Sequence, residues 1–413
     1  MLDIRDIRDN VESVKDSIRR RGLEVDLDKL LDLDSSRREL TAKSEEIQRQ
    51  RNILADEVKG GKPTDSQIAL GKDLKSQHES IDTELDKISS QYHELLGEVP
   101  NMIAENTPDG GEENNRVETE WGKVELGFEA KDHLQLNELH NLYDFEAGAK
   151  VAGNKFYFTR HKAVKLWQAI LMATQEIIES AGFELVGVPH LVDTQIAAGT
   201  GYMPKGEEGQ NYIDQEQGLT LIATSEIPLT GMHKDEVLDL EDPLLYAGIS
   251  PCYRLEAGAY GKFSKGLYRT HQFDKLEMYV FCKPEDSDGY LQKILELEQK
   301  ICQSFEIPYR VVRIAAGDLS NPAYEKYDVE YYSPAEKEYR ELTSCSNCTD
   351  YQARNLNIKY RDDAGQLKFA HTLNGTAVVS SRMPIAILEN HQQADDSIKL
   401  PKILHKYYGG EVL

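Results

Sequence analysis

Residues Pro251–Glu277 read PCYRLEAGAYGKFSKGLYRTHQFDKLE, two apolar runs around a glycine-rich loop. Arg254 and Glu256 sit two apart on the first expected strand, so they share one face. The loop is glycine-rich and basic, with Gly258, Gly261, Lys262, Lys265, Gly266 and Arg269. A second expected strand returns with Phe273 and Glu277. A hairpin that gathers an arginine, an aromatic ring and two carboxylates suits a nucleotide with an anionic tail. The guanidinium is a forked donor to phosphate, and the ring stacks on a base. For the Arg/Glu pair alone, a surface hairpin with cross-strand salt bridges is the better account. The glycine-rich loop weighs against that second reading without removing it.

Outward from this hairpin, short strands are expected at Phe156–Thr159, Leu185–Val188, Leu219–Ala223, Leu276–Phe281, Tyr309–Ile314 and Asp328–Tyr332. Helices are expected over Lys131–Glu146 and Ala163–Ala181. Strands are close neighbours in sequence and helices come in separate blocks, which favours an α+β fold on an antiparallel sheet. Neither GxGxxG nor GxxxxGK[ST] occurs, so the two common phosphate loops are missing. Two further polar strings stand out: Ala223–Pro228, ATSEIP, and the region Tyr339–Arg382, with TSCSN near its start and HTLNGTAVVSSR at its end.

The first hundred residues carry almost no strand signal. Val11–Arg20 reads as a short helix capped by Asn10 and stopped by Gly22. A seven-residue spacing follows at Leu33, Leu40, Ile47 and Leu54, and resumes at Leu74, Ile81, Ile88 and Leu95. Between them KGGKPTD stops any helix. The pattern describes an all-α antiparallel coiled-coil hairpin whose arms of about 30 residues would reach on the order of 45 Å. Ser44 and Arg51 at the second seam position make it a weakly buried arm. A helical bundle or a dimerising coiled coil fits the periodicity as well. Asn101–Gly122, rich in Pro, Gly, Glu and Asn, reads as a connecting stretch. The expected domains are residues 1–105, a linker over 106–122, and 123–413.

The chain has 413 residues, enough for two or three domains, and 29% of them are charged. Its net charge of −24 argues against nucleic-acid binding on a naive reading, so charge is better taken by segment. Arg37–Lys62 holds seven basic residues (Arg37, Arg38, Lys43, Arg49, Arg51, Lys59, Lys62) against five acidic ones. Asp65–Glu98 holds eight acidic against three basic. No apolar run approaches the roughly 18 residues of a membrane span, and the charged N-terminus lacks a secretory signal. Five scattered cysteines speak against a disulfide framework and for a reducing cytoplasm. Cys345-x-x-Cys348 has no second ligand pair, so no structural zinc is expected.

Taken in order, the R-x-EAG…G…R-x-HQF-x-K-x-E string, TSE-x-P, SCSN and HTLNG closely resemble the motifs of class II aminoacyl-tRNA synthetases, specifically seryl-tRNA synthetases of bacterial type. The resemblance covers essentially the whole chain, and it reads the N-terminal hairpin as that family's tRNA-binding arm. It implies a class II catalytic sheet flanked by helices behind the arm. It implies ATP and L-serine as substrates, Mg²⁺ as cofactor, tRNA(Ser) as partner, and a homodimer through Ala163–Pro189. Arg254 matches the arginine on the α-phosphate and Arg382 the arginine on the γ-phosphate. Glu256 matches the acceptor for the adenine amino group and Phe273 the stacking ring. Leu255, Leu342 and Thr343 complete the matching ATP segments. Glu341 and Ser344 match the Mg²⁺-binding pair. Thr224, Ser225, Glu226 and Glu277 match the serine pocket, and Thr376 the position that reads the serine hydroxyl. The seven basic residues of the first arm helix are the expected RNA contacts.

Some positions depart from the family pattern. Leu255 and Ala259 replace smaller or more polar residues, Lys265 stands for a common arginine, Thr376 for a common serine, and Gly206 for a bulky residue. None removes a charged group. Relatives that load carrier proteins lack the arm, which this chain has. A catalytically dead regulator is disfavoured by the presence of Arg254, Glu256, Glu341 and Arg382. His271 and His371 flank the motif strands and are expected to be structural donors.

Overall fold

The computed structural model describes residues 1–59, 61–123, 125–202, 211–256 and 266–413. Gly206, Gly258, Ala259, Gly261, Lys262 and Lys265 lie outside the described residues. The chain divides into two compact units, Met1–Pro100 and Asn101–Leu413. No helix among the described residues is long and apolar enough to cross a membrane.

The first unit is helical throughout, with α1 (Ile4–Asp9), α2 (Val11–Arg20), α3 (Leu27–Glu57) and α4 (Asp65–Glu98). Asp26 caps α3 by accepting the Lys29 N–H at 3.0 Å, and Thr64 opens α4 with a capping box to Gln67. α3 and α4 pack on each other as the expected hairpin. Leu40, Ile47 and Leu74 are buried on the seam, while Leu33, Leu54, Ile81 and Ile88 are half-buried. Polar Ser44 is accommodated because its hydroxyl donates across the pair to Asp82 at 3.1 Å. At the base, buried Asp34 gathers Arg38 at 3.0 Å, Arg37 at 3.6 Å and Arg8 at 3.7 Å. Arg37 also lies over the Tyr92 ring at 4.5 Å. These two of the seven basic candidates are therefore tied into the base of the hairpin. Arg49, Lys59 and Arg51 lie further out, with local partners Glu46, Asp56 and Gln48.

In the second unit one sheet has eight strands: β1 (Arg116–Trp121), β2 (Glu184–Gly187), β3 (Leu244–Tyr253), β4 (Gln272–Cys282), β5 (Tyr309–Arg313), β6 (Glu325–Ser333), β7 (Glu338–Thr349) and β8 (His371–Val379). Their order is β1-β5-β6-β7-β8-β4-β3-β2, antiparallel at every step except β2–β3. This is the antiparallel α+β sheet that the strand spacing implied. β4 is central, and its side chains sort by parity. Leu276, Met278 and Val280 enter the main core with residues of α5 (His161–Ser180) and α7 (Ser287–Ser304). Tyr279 and Phe281, on the other face, enter a second core with Ile222, Ile227 and Ala353.

Three local expectations change. Arg116–Trp121, expected as linker, is an edge strand paired with β5. All six of its residues are exposed, and its short alternation of Val117, Thr119 and Trp121 with Arg116, Glu118 and Glu120 is lost in the surrounding Pro-, Gly- and Asn-rich composition. The helix expected over Lys131–Glu146 stops at His140, because Asn141 turns left-handed at φ +51° and the Asn137 side chain accepts the Leu142 and Tyr143 N–H groups. A second helix, Phe145–Ala152, then starts on Asp144. Finally, Arg254 and Glu256 are not on a strand. β3 ends at Tyr253, and Glu256 adopts φ +47°.

The glycine of HTLNG has a packing cause. A Cβ on Gly375 would lie 2.2 Å from Ile294 Cγ2 of α7 and 3.1 Å from Cys345 Cβ. Gly375→Ala is therefore expected to lower stability by about 1–3 kcal/mol through overpacking. Urea denaturation of the purified variant checks this, and an unchanged midpoint would show that α7 yields freely.

Candidate active site

Five adjacent strand positions feed one cleft. β6 contributes Lys326, β7 Glu341 and Ser344, β8 Asn374 and Thr376, β4 Phe273, Lys275 and Glu277, and the segment after β3 Arg254 and Glu256. Ser381 and Arg382 close it from beyond β8. Odd-numbered residues of β4 line the cleft because even-numbered ones face the helices. Among the described residues four cations (Arg254, Lys275, Lys326, Arg382) meet three carboxylates (Glu256, Glu277, Glu341) on its walls, and Lys326 is also paired with Asp328 at 3.0 Å. A chain of charge −24 thus gathers fixed cations in one cleft, the groups that an anionic phosphate tail requires.

The Arg254–Glu256 turn is held by contacts outside the strand ladder. The Arg254 N–H donates to the His271 carbonyl at 3.0 Å, His271 Nδ1 meets the Arg254 carbonyl at 3.0 Å, and Lys155 Nζ donates to the Glu256 carbonyl at 3.2 Å. His271 is thereby structural. The Arg254 guanidinium stacks over Phe273 at 5.2 Å and donates to the Ala223 carbonyl at 3.4 Å. At the other end Arg382 Nη1 pairs with Glu341 at 2.9 Å. Burial works against the Glu341 charge, but Arg382 and then Lys326 outweigh it and hold the carboxyl well below its usual range, at about 2.

The carboxylates on the β4 side are paired differently. Lys275 Nζ sits 2.6 Å from Glu277 Oε2, and both side chains are buried. The Thr376 hydroxyl donates to the same oxygen at 3.2 Å. Glu226, at the start of α6 (Glu226–Gly231), is only 1% exposed and accepts from Tyr202, Asn374 and Gln352 at 2.7, 2.5 and 2.6 Å. Burial and then the Glu277 charge push its carboxyl above the ordinary value, against those donors. Thr224 and Ser225 are fully buried beside it. The Thr224 hydroxyl accepts the Glu226 N–H at 3.3 Å, and Ser225 donates to the Gly248 carbonyl of β3 at 3.1 Å. None of Thr224, Ser225 and Glu226 is on the cleft wall itself; Glu226 is joined to it through Tyr202 and Asn374, which line it together with Thr376 and Glu277. Leu342 and Thr343 are buried wall residues, and the Leu342 side chain belongs to the main core.

The sequence reading assigned no role to Lys275, Lys326, Tyr202, Asn374 or Gln352. Lys275 had a readable signal: it lies midway between Phe273 and Glu277 in a period-two strand. Gln352 had none, since it comes from a helix, α8 (Tyr351–Leu356), outside the motif strands. Among the described residues no three His, Cys, Asp or Glu side chains converge as metal ligands. Mg²⁺ rarely uses such a cage. It takes one or two carboxylates and completes its shell with phosphate oxygens and water. Glu341, 44% exposed, and Ser344 beside it on the same wall fit that mode. Cys345 and Cys348, like the other three cysteines, are buried free thiols.

Comparison with known proteins gives a consistent picture. The model of the seryl-tRNA synthetase N-terminal domain matches residues 1–103, and that of the tRNA synthetase class II core domain (G, H, P, S and T) matches 209–391. The serine–tRNA ligase of Dictyoglomus turgidum is 43% identical over 99% of this chain and 98% of its own length. That of Treponema denticola is 44% identical over 99% of both. The crystal structure of the seryl-tRNA synthetase from Pyrococcus horikoshii complexed with ATP superposes with a TM-score of 0.91 at 36% identity, covering 100% of this chain and 99% of that one.

The Glu341–Arg382 pair has a pH signature. The carboxyl stays ionised in the folded chain far below its ordinary value of 4.5, so its contribution is present above that value and is lost as pH falls toward about 2. Glu341→Gln is expected to flatten the acid side of the stability profile. Thermal melts from pH 6 down to about 2 measure it, and parallel profiles for variant and wild type would refute the pairing.

Proposed function

As a member of the seryl-tRNA synthetases, a class II family, this chain joins serine to tRNA(Ser) by way of seryl-adenylate, and we propose how its residues divide that work. In the first step the serine carboxylate attacks the α-phosphate of ATP and pyrophosphate leaves. In the second the seryl group passes to the acceptor end of the tRNA. Neither step requires a nucleophilic side chain. Catalysis is alignment of the two reactants and stabilisation of charge that builds on phosphorus.

The observation that carries the residue assignments is the delivery of cations, oxygen donors and an aromatic ring to one cleft by adjacent strands. Arg254 is the fixed guanidinium for the α-phosphate, where a preorganised charge is worth most in the transition state. Arg382 serves the γ-phosphate. Phe273 stacks on adenine and Glu256 accepts from its amino group, with Leu255, Leu342 and Thr343 forming the ATP wall. Glu341 and Ser344 would hold Mg²⁺, which would neutralise charge on the phosphates. Glu277 and Glu226 face the serine ammonium group, Thr224 and Ser225 fix the turn beneath them, and Thr376 reads the serine hydroxyl.

In this reading Met1–Pro100 form the tRNA-binding arm unit, and Asn101–Leu413, which include the edge strand Arg116–Trp121, form the catalytic unit. Arg49, Arg51, Lys59, Lys62 and Lys43 are the outer phosphate contacts of the arm. Arg37 and Arg38 contribute at its base, where Asp34 orients them. A homodimer through α5 is supported by Val164 and Met172, apolar residues of that helix that are exposed in the single chain. Five cysteines outside any disulfide suit the cytoplasm.

Arg254→Ala is expected to cut serine-dependent ATP–pyrophosphate exchange by about 10²-fold or more, with the fold intact by circular dichroism. Near-normal exchange would refute the α-phosphate role. Deleting Lys43–Asp82, with a short glycine bridge where Ser44 and Asp82 meet, should leave exchange largely unchanged and severely impair tRNA charging. Five of the seven proposed phosphate contacts would be gone, with Arg37 and Arg38 left at the base, so residual binding should also fall less steeply with salt. Charging of tRNA(Ser) at the full-length rate would make the arm a protein-docking element instead.

A further inference from the structure

Gln352 lies outside every motif, is fully buried, and uses the whole capacity of its amide. Nε2 donates to Glu226 Oε1 at 2.6 Å and to the Thr200 carbonyl at 3.1 Å. Oε1 accepts from the Tyr279 hydroxyl at 2.9 Å and from the Thr372 hydroxyl at 2.8 Å. Reversed, the amide would set its carbonyl against a carboxylate and another carbonyl. Its orientation is therefore fixed by four partners from four places in the fold.

The two carboxylates of the serine end differ in how their charge is met. Glu277 has a resident cation, Lys275, at 2.6 Å. Glu226 has three donors, Tyr202, Asn374 and Gln352, all uncharged, and among the described residues no cation pairs with it. Tyr202 and Asn374 both hold Oε2 from the cleft side, whereas Gln352 alone, of those three, holds Oε1. Three donors leave one lone-pair site of the carboxylate free. A buried carboxylate without a counter-charge attracts a cation strongly.

We propose that Gln352 is a positioning residue for amino-acid activation: it locks the rotamer of Glu226 with a neutral donor, so that the substrate's ammonium group supplies the cation this carboxylate lacks. The inference rests on the serine-site reading above. A lysine or arginine at 352 would fill that role in the empty site and compete with substrate. An apolar residue would leave Oε1 without its donor and let the carboxylate rotate. The charged groups nearest the pair are Glu277 and Lys275 from β4 and Arg254 beyond β3; Tyr202 is the titratable donor on the cleft side.

The test is ATP–pyrophosphate exchange with KM for serine and for ATP measured separately between about pH 6 and 9, for wild type, Gln352→Met and Gln352→Glu. Gln352→Met keeps the volume and removes the donor, so its serine KM should rise about tenfold to a hundredfold at every pH, with ATP KM within about twofold. In Gln352→Glu the oxygen facing Glu226 donates only while it carries a proton. Its serine KM should lie near the wild-type value at the acid end and rise steeply toward the alkaline end, where two carboxylates oppose each other. A packing role gives no such recovery. Serine and ATP KM rising together in both variants, or a Gln352→Glu profile parallel to wild type, overturns the proposal. Should circular dichroism show both variants unfolded, Thr372→Val removes one of the hydroxyls that hold the amide. A rise of about threefold in serine KM alone is then expected, and no change overturns it. Absence of serine-dependent exchange in the wild type would instead refute the reading of the site.

Discussion

The period-two alternation of β4 is the constraint on which the rest depends. A strand buried on both faces must offer each face something it can bury. Leu276, Met278 and Val280 supply apolar volume to the helical side. On the other side the strand changes character along its length, from Phe273, Lys275 and Glu277 at the cleft to Tyr279 and Phe281 in the second core. Polar residues are tolerable at the cleft only because they satisfy one another, Lys275 with Glu277 and Glu277 with Thr376. A one-residue slip of register would drive those charges into the helices and expose the core, so fold and site share a single register.

Much of this was legible in the sequence because strands translate spacing directly into geometry. Phe273 and Glu277 were expected on one strand and lie there, and the heptads of α3 and α4 did give a hairpin. The failures have physical causes. Arg116–Trp121 looks like a linker because its short Val117/Thr119/Trp121 alternation, exposed on an edge, is embedded in a Pro-, Gly- and Asn-rich stretch. Arg254 and Glu256 looked like strand partners, yet Glu256 turns left-handed, and both residues still reach the cleft through the backbone grip of His271 and Lys155. Gln352 was invisible because a buried amide is defined by its partners, and those are spread over Thr200, Glu226, Tyr279 and Thr372.

Charge shows the same division between local and global information. The overall balance of −24 says little about the cleft, where the described wall residues set four cations against three carboxylates. Cations held in fixed positions by Glu341, Phe273 and Glu277 are already oriented when an anion arrives, so no reorganisation is needed at the moment of reaction.

The five buried cysteines have a consequence for handling the protein. Burial pushes the thiols of Cys252, Cys302 and Cys345 above their ordinary value, and that of Cys282 up to about 12. A thiolate is the reactive form, so these four are shielded both by access and by protonation, and Cys348 by access. Alkylating reagents can reach them only when the surrounding core opens. Because they sit on β3, β4, α7 and β7, the order in which they become labelled would record which part of the sheet loosens first, with no engineered probe.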